Sequence, residues 1–170
     1  MPESFDTTLD IVVETLENAK QDNKGCSVLI GAGCSVSAGV PLAPGFVQEF
    51  SKKYPKRFAV VQQQTYPHCM AALANAERDG LIGPHIDKAR LNWAHVGLAQ
   101  LMATGYVTRV LTTNFDPLMI KACAMVRVFP AVYDLAASQV FAADRVQEPS
   151  IFYLHGQRSG FVTLHTEDEV

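Results

Sequence analysis

The sequence predicts an α/β fold in which a parallel sheet is covered by helices on both faces. Short apolar runs with β-type composition recur along the chain. Segments with helical periodicity separate them. Glycine-rich or polar turns follow directly on the runs, as they do at the carboxyl ends of strands in a parallel sheet. The 170 residues suffice for one domain with a real core and are too few for two.

The elements follow in order. Residues 7–21 place Leu9, Val12, Val13, Leu16 and Ala19 on one helical face, with Asp6 or Thr7 as the cap. Cys26–Ile30, between Gly25 and Gly31, reads as a buried parallel strand. Phe46–Tyr54 is predicted helical, entered through Pro44-Gly45 and stopped before Pro55. From Pro67 to Gly105 the pattern is helical with breaks at Gly80 and Gly83-Pro84. Trp93, Val96, Leu98, Leu101 and Met102 form the apolar side of the last of these helices, and Trp93 and Met102 are expected in the core. A strand at Thr108–Thr112, a helix at Pro117–Met125, a strand at Arg127–Phe129, a helix at Leu135–Ala142 and a strand at Ile151–Leu154 complete the alternation. Phe161–His165 reads as a further strand or hairpin arm. The acidic run Thr166–Val170 then ends abruptly, which fits an N-terminal part of a longer protein.

Composition excludes several classes. The charged fraction is 18% and the net charge −3, with both signs mixed and no basic stripe, so direct nucleic-acid binding by this segment is not expected. There is no secretory leader and no apolar stretch of membrane-spanning length, so a cytoplasmic location without membrane association is expected. Cys26, Cys34, Cys69 and Cys123 form no C-x-x-C pair; small buried hydrophobes are expected, with no metal and no disulfide framework. His68, His85 and His95 have no ligand-spaced partner, and His165 carries no assignment.

Three turns carry the chemistry. Gly31-Ala32-Gly33-Cys34-Ser35-Val36-Ser37-Ala38-Gly39 follows a strand and precedes helical sequence, as a phosphate-binding turn does. It lacks both the G-x-G-x-x-G spacing and the lysine of a P-loop, and a tight structural turn explains it nearly as well. Thr112-Thr113-Asn114-Phe115-Asp116-Pro117 reads first as a helix start, with Asp116 at the cap and Pro117 at the first helical position. His155-Gly156 sets a histidine at a strand's carboxyl end with room beside it.

Together these segments resemble the sirtuin (silent-information-regulator) superfamily, whose G-A-G-x-S-x-x-x-G-[IV]-P loop, T-x-N-x-D strand end and later H-G occur here in order. They read Gly31 to Gly39 followed by Val40-Pro41, then Thr112 to Asp116, then His155-Gly156, and the resemblance covers roughly residues 25–156. It implies a single Rossmann-like NAD-binding domain over residues 1–170 without a zinc module. It implies that Gly31, Ala32, Gly33, Ser35, Gly39, Pro41, Thr113, Asp116 and Gly156 contact NAD+, with Asp116 facing the nicotinamide amide. It also implies that Asn114 fixes a ribose hydroxyl or the attacking water and that His155 is the base on a ribose hydroxyl.

Leu42-Ala43-Pro44 stand where protein-deacylating sirtuins continue with Asp-Phe-Arg, and the paired cysteines of their zinc module are absent. The sequence is closer to the zinc-less sirtuin-like domains of bacterial anti-phage defence proteins. That resemblance implies hydrolysis of NAD+, as substrate, to nicotinamide and ADP-ribose, a C-terminal sensor or effector region or partner subunit, and homo-oligomeric assembly. A protein deacylase and a non-catalytic module sensing NAD+ or ADP-ribose are the alternatives, and a dehydrogenase ranks last.

Overall fold

The computed structural model describes residues 5–137, 145–160, 163–166 and 168–169. The chain forms α1 (Phe5–Gln21), β1 (Cys26–Ile30), a 3-10 helix (Ala32–Ala38), α2 (Ala43–Lys53), α3 (Pro55–Phe58), α4 (Tyr66–Ala71), α5 (Asn75–Lys88), α6 (Trp93–Ala103), β2 (Val107–Thr112), α7 (Leu118–Met125), β3 (Ala131–Asp134) and β4 (Ser150–Tyr153). The four strands make one all-parallel sheet in the order β1-β2-β4-β3, with helices packed around it.

Two apolar clusters divide the molecule. Val28, Ile30, Val110, Ile151 and Tyr153 turn one sheet face toward Leu98, Ala99 and Met102 of α6 and Met119, Ala122 and Cys123 of α7. The second cluster gathers Phe46 and Phe50 of α2, Cys69 and Met70 of α4, and Leu81, Ile82 and Ile86 of α5 into a helical cap. Phe115, just past β2, packs against that cap and so links it to the sheet.

Several expectations need correction. β1 is parallel, but it stands at the sheet edge with alternating exposure, and Leu29 is 67% exposed. α1 already runs from Phe5, so Asp6 and Thr7 lie inside it; Leu16 reaches the core while Leu9, Val12 and Val13 are exposed. Trp93 is 87% exposed because it opens α6 on its outer side, whereas Met102 is buried. α2 begins at Ala43, so Pro44-Gly45 lie in its first turn and do not precede it; it ends before Pro55 as expected, and Pro55 opens the short α3 after Tyr54.

The third strand lies at Ala131–Asp134, not Arg127–Phe129: Arg127 adopts φ 60° at the end of α7, and an extended run begins only after that turn. Leu135–Ala137 is turn, and the rest of the helix expected up to Ala142 lies outside the described residues. Cys69 and Cys123 are buried, but Cys26 and Cys34 are only half-buried.

α5 continues through Gly80 and Gly83-Pro84 without the expected breaks. Pro84 has no N–H for the Gly80 carbonyl four residues back. Lys53 Nζ donates to that carbonyl at 3.1 Å instead, so a bond from α2 satisfies the acceptor that the proline orphans. No helix among the described residues is long and apolar enough to cross a membrane.

Candidate active site at the carboxyl edge of the sheet

The register brings the site together. Ile30, Thr112, Tyr153 and Asp134, the last residues of the four strands, pair in one row across the sheet. The ladder runs one step further, with Thr113 N–H donating to the Ile30 carbonyl and Leu154 N–H to that of Thr112. The chain therefore leaves β1, β2 and β4 side by side, at the edge where parallel α/β sheets bind ligands.

After β1 the chain turns into the 3-10 helix, whose first bond runs from Cys34 N–H to the Gly31 carbonyl at 2.9 Å. Gly39 closes it at φ 99°, a left-handed position that favours glycine. The protein's own packing does not require glycine at Gly33, where a Cβ would meet nothing within 4 Å. Gly31 is extended, and a Cβ there would make only ordinary contact with Thr113. Two glycines unexplained by backbone strain or protein contacts fit a surface that a ligand approaches closely.

Ser35, Asn114 and Asp116 form a hydrogen-bonded chain across the two turns. Asn114 Nδ2 donates to the Gly31 carbonyl and to Ser35 Oγ, each at 3.0 Å. Ser35 Oγ then donates to Asp116 Oδ2 at 2.7 Å. Because the Gly31 carbonyl can only accept, the Asn114 amide orientation is fixed, and its Oδ1 makes no bond to another described residue. Asp116 Oδ1 accepts the Leu118 N–H at 3.1 Å, so this carboxylate caps α7 from two residues ahead. Tyr153, buried in β4, donates its hydroxyl to the Asp116 carbonyl at 3.1 Å. The network is buried, with Asn114 7% and Asp116 5% exposed, and buried polar groups satisfied in this way hold their geometry.

His155 follows β4 and is half-buried, and its ring makes no hydrogen bond to another described residue. Gly156, at φ 87°, turns the chain so that Thr163 returns antiparallel to it, and Leu164 N–H donates to the His155 carbonyl at 2.8 Å. Of the strand or hairpin arm expected at Phe161–His165, the described residues show a single antiparallel bridge at Thr163; Phe161 and Val162 lie outside the described residues.

The return delivers His165 beside the site. Its Nδ1 is 2.9 Å from the Tyr66 hydroxyl and its Nε2 2.9 Å from Thr163 Oγ1, and its ring centre is 4.6 Å from that of Phe115. Burial, with the Arg78 and His155 charges added, pushes the His165 pKa down to about 4.

These groups line a cleft of about 590 Å³ between the sheet edge and the helical cap. Of the expected site residues, Ala32, Ser35, Pro41, Thr113, Asn114, Asp116 and His155 line it. Gly31, Gly33, Gly39 and Gly156 shape the turns without lining it. The opposite wall is apolar, with Val40, Phe46, Ile82, Ile86 and Leu164. Tyr66, Phe115 and His165 also line the cleft, and sequence reasoning gave none of them a role. Tyr66 and His165 carry no local signal, since only the hairpin and the cap bring them to this edge. No protein-family model matches the chain, and no curated protein is similar to it.

Proposed function

We propose that the cleft binds NAD+ and that the protein hydrolyses its nicotinamide–ribose bond to nicotinamide and ADP-ribose, with NAD+ depletion in anti-phage defence as the outcome. One observation carries this reading: Ser35, Asn114, Asp116 and His155, from three separate turns, line a single cleft at the carboxyl edge of a parallel sheet. The chemistry asks for little more. Nicotinamide leaves a pyridinium as a neutral base, so no acid is needed to protonate it. What remains is to hold the ribose, stabilise its developing positive charge and place water on its face.

Asn114 Oδ1, without a partner among the described residues, accepts from a ribose hydroxyl or the incoming water. Asp116, fixed by Ser35 and Leu118, offers its remaining lone pairs to the nicotinamide amide. His155 is the base on a ribose hydroxyl and, through that hydroxyl, accepts the proton released as water adds to the anomeric carbon. The turn from Gly31 to Ser35 receives the pyrophosphate through backbone N–H groups.

The apolar wall of Val40, Phe46, Ile82, Ile86 and Leu164 favours a second reading, an NAD+-dependent protein deacylase whose acyl group occupies that side. One experiment separates the two. Free nicotinamide is measured with NAD+ alone and with an acylated peptide, for wild type, Asn114→Ala and His155→Ala. Peptide-independent release, reduced at least about 100-fold by either substitution, is expected. Release only with peptide moves the protein to the deacylases, and no release in any tube sinks both readings.

A further inference from the structure

Cys34, in the same 3-10 helix as Ser35, faces a base that the proposed hydrolysis does not use. Its Sγ lies 3.8 Å from Nε2 of His95. The other ring nitrogen of His95, Nδ1, is 2.6 Å from Oδ1 of Asn92. The Asn92 amide is oriented without ambiguity, because its Nδ2 donates to the Cys34 carbonyl at 2.7 Å and to Ser37 Oγ at 2.9 Å. Its Oδ1 also accepts the backbone N–H of His95 at 3.1 Å. That oxygen can only accept, so Nδ1 carries the imidazole proton and Nε2 turns its lone pair toward the thiol. An orienting amide, a base of fixed tautomer and a thiol in line form the constellation of nucleophilic catalysis.

The resting state follows from the surroundings. Burial lowers the His95 pKa, against a raising effect of Asp116, so the imidazole is neutral and able to take a proton. Burial first, and Asp116 second, raise the Cys34 pKa, so the sulfur rests as a thiol and loses its proton as it reacts. Cys34 is half-buried, whereas Cys69 and Cys123 are buried.

We propose that Cys34 is a thiol-modification site for low-molecular-weight disulfides, with His95 as its general base and Asn92 as the residue that orients the base. The Cys34 sulfur attacks one sulfur of the disulfide as its proton passes to His95 Nε2. The S–S bond breaks, and the departing thiolate takes that proton from the imidazolium. The products are a mixed disulfide on Cys34 and one free thiol, and the incoming disulfide is the only oxidant. Ala32 and Ser35 of the same 3-10 helix line the cleft while Cys34 does not, so the adduct acts on dinucleotide binding by displacing that helix; this consequence rests on the hydrolase reading, and the adduct itself does not.

The test incubates the protein with oxidised glutathione and follows the adduct on each cysteine by peptide mass mapping. Cys26, also half-buried and without an imidazole partner among the described residues, is the internal control. Cys34 is expected to react at least about ten-fold faster than Cys26, and His95→Gln is expected to slow Cys34 about ten-fold without changing Cys26. Equal rates at the two cysteines in wild type, or an unchanged Cys34 rate in folded His95→Gln, overturn the site. If that variant does not fold, the wild-type ratio decides alone. The adducted protein is expected to lose nicotinamide release and regain it with dithiothreitol. Undiminished release by the adduct overturns the coupling to the cleft. Absence of release from untreated protein overturns the hydrolase reading and leaves the adduct rates to judge Cys34.

Discussion

At the residue scale, the buried polar groups around the cleft differ in what they give to stability. His165 rests as a neutral base with its pKa pushed down to about 4, mainly by burial. In the unfolded chain it takes up a proton near pH 6.5. Between those values the unfolded state binds more protons than the folded one, so stability is full above about pH 6.5 and falls as the pH drops toward 4. The loss is on the order of 3 kcal/mol. Urea midpoints between pH 7 and 4 should fall accordingly, and His165→Gln should flatten that fall; an equal slope in the variant removes His165 as its source. Ser35 is a different case, since it both accepts from Asn114 and donates to Asp116. Ser35→Ala leaves a buried amide and a buried carboxylate each short of a partner, which costs about 1–3 kcal/mol. Ser35, Asn114 and Asp116 were legible in the sequence because each lies in a short segment following a strand. Tyr66 and His165 were not, because the contact between them spans 99 residues and no local pattern encodes it.

At the element scale, α5 shows why local rules misread a helix. Gly80 and Gly83-Pro84 are breakers by propensity, yet the helix continues because Lys53 from α2 satisfies the carbonyl that Pro84 orphans. Lys53→Ala should cost about 1 kcal/mol in wild type and close to nothing in a Pro84→Ala background, where an ordinary helical N–H takes over the Gly80 carbonyl. A double-mutant cycle by denaturant unfolding measures the difference, and additive effects would break the compensation argument. Gly25 shows the opposite, a position that local sequence marks correctly. It holds φ 62° before β1, and a Cβ there would collide with the Thr108 side chain at the start of β2. Gly25→Ala should destabilise by about 2 kcal/mol or more, through the left-handed backbone and the lost approach of the two strands. Thr108→Gly in the same chain should return only the steric part. The displacement of β3 from Arg127–Phe129 to Ala131–Asp134 has a similar origin. The left-handed turn at Arg127 delays the extended run, and a β-rich triplet gives no sign of such a turn.

At the scale of the whole molecule, the alternation of runs and helices was enough to reveal a parallel sheet. It could not show that the helices from α2 to α5 gather into a cluster of their own rather than onto the sheet. Periodicity tells which side of a helix is apolar and not what that side meets, which is why Trp93 and the α1 residues Leu9, Val12 and Val13 are exposed against expectation. The cleft exists because two cores meet there, joined by Phe115, by Arg90 N–H donating to the Ala38 carbonyl at 2.9 Å, and by the Asn92 bonds to the 3-10 helix. A ligand held between the sheet edge and the cap touches both cores, so it should stabilise the folded chain as a unit. ADP-ribose, the product of the proposed reaction, is the suitable probe because turnover does not consume it. At one hundred times its Kd it should raise the unfolding free energy by about 2.7 kcal/mol. Scanning calorimetry should then show one transition moved to higher temperature. A lower transition left in place would mean that the cap unfolds independently of the site. Asn114→Ala should weaken the shift by loosening the turn after β1, while Lys53→Ala, distant in role from the cleft, should leave the increment intact on a lower baseline. If millimolar ADP-ribose and NAD+ both leave the transition unmoved, the cleft is not a dinucleotide site and the hydrolase reading falls with it.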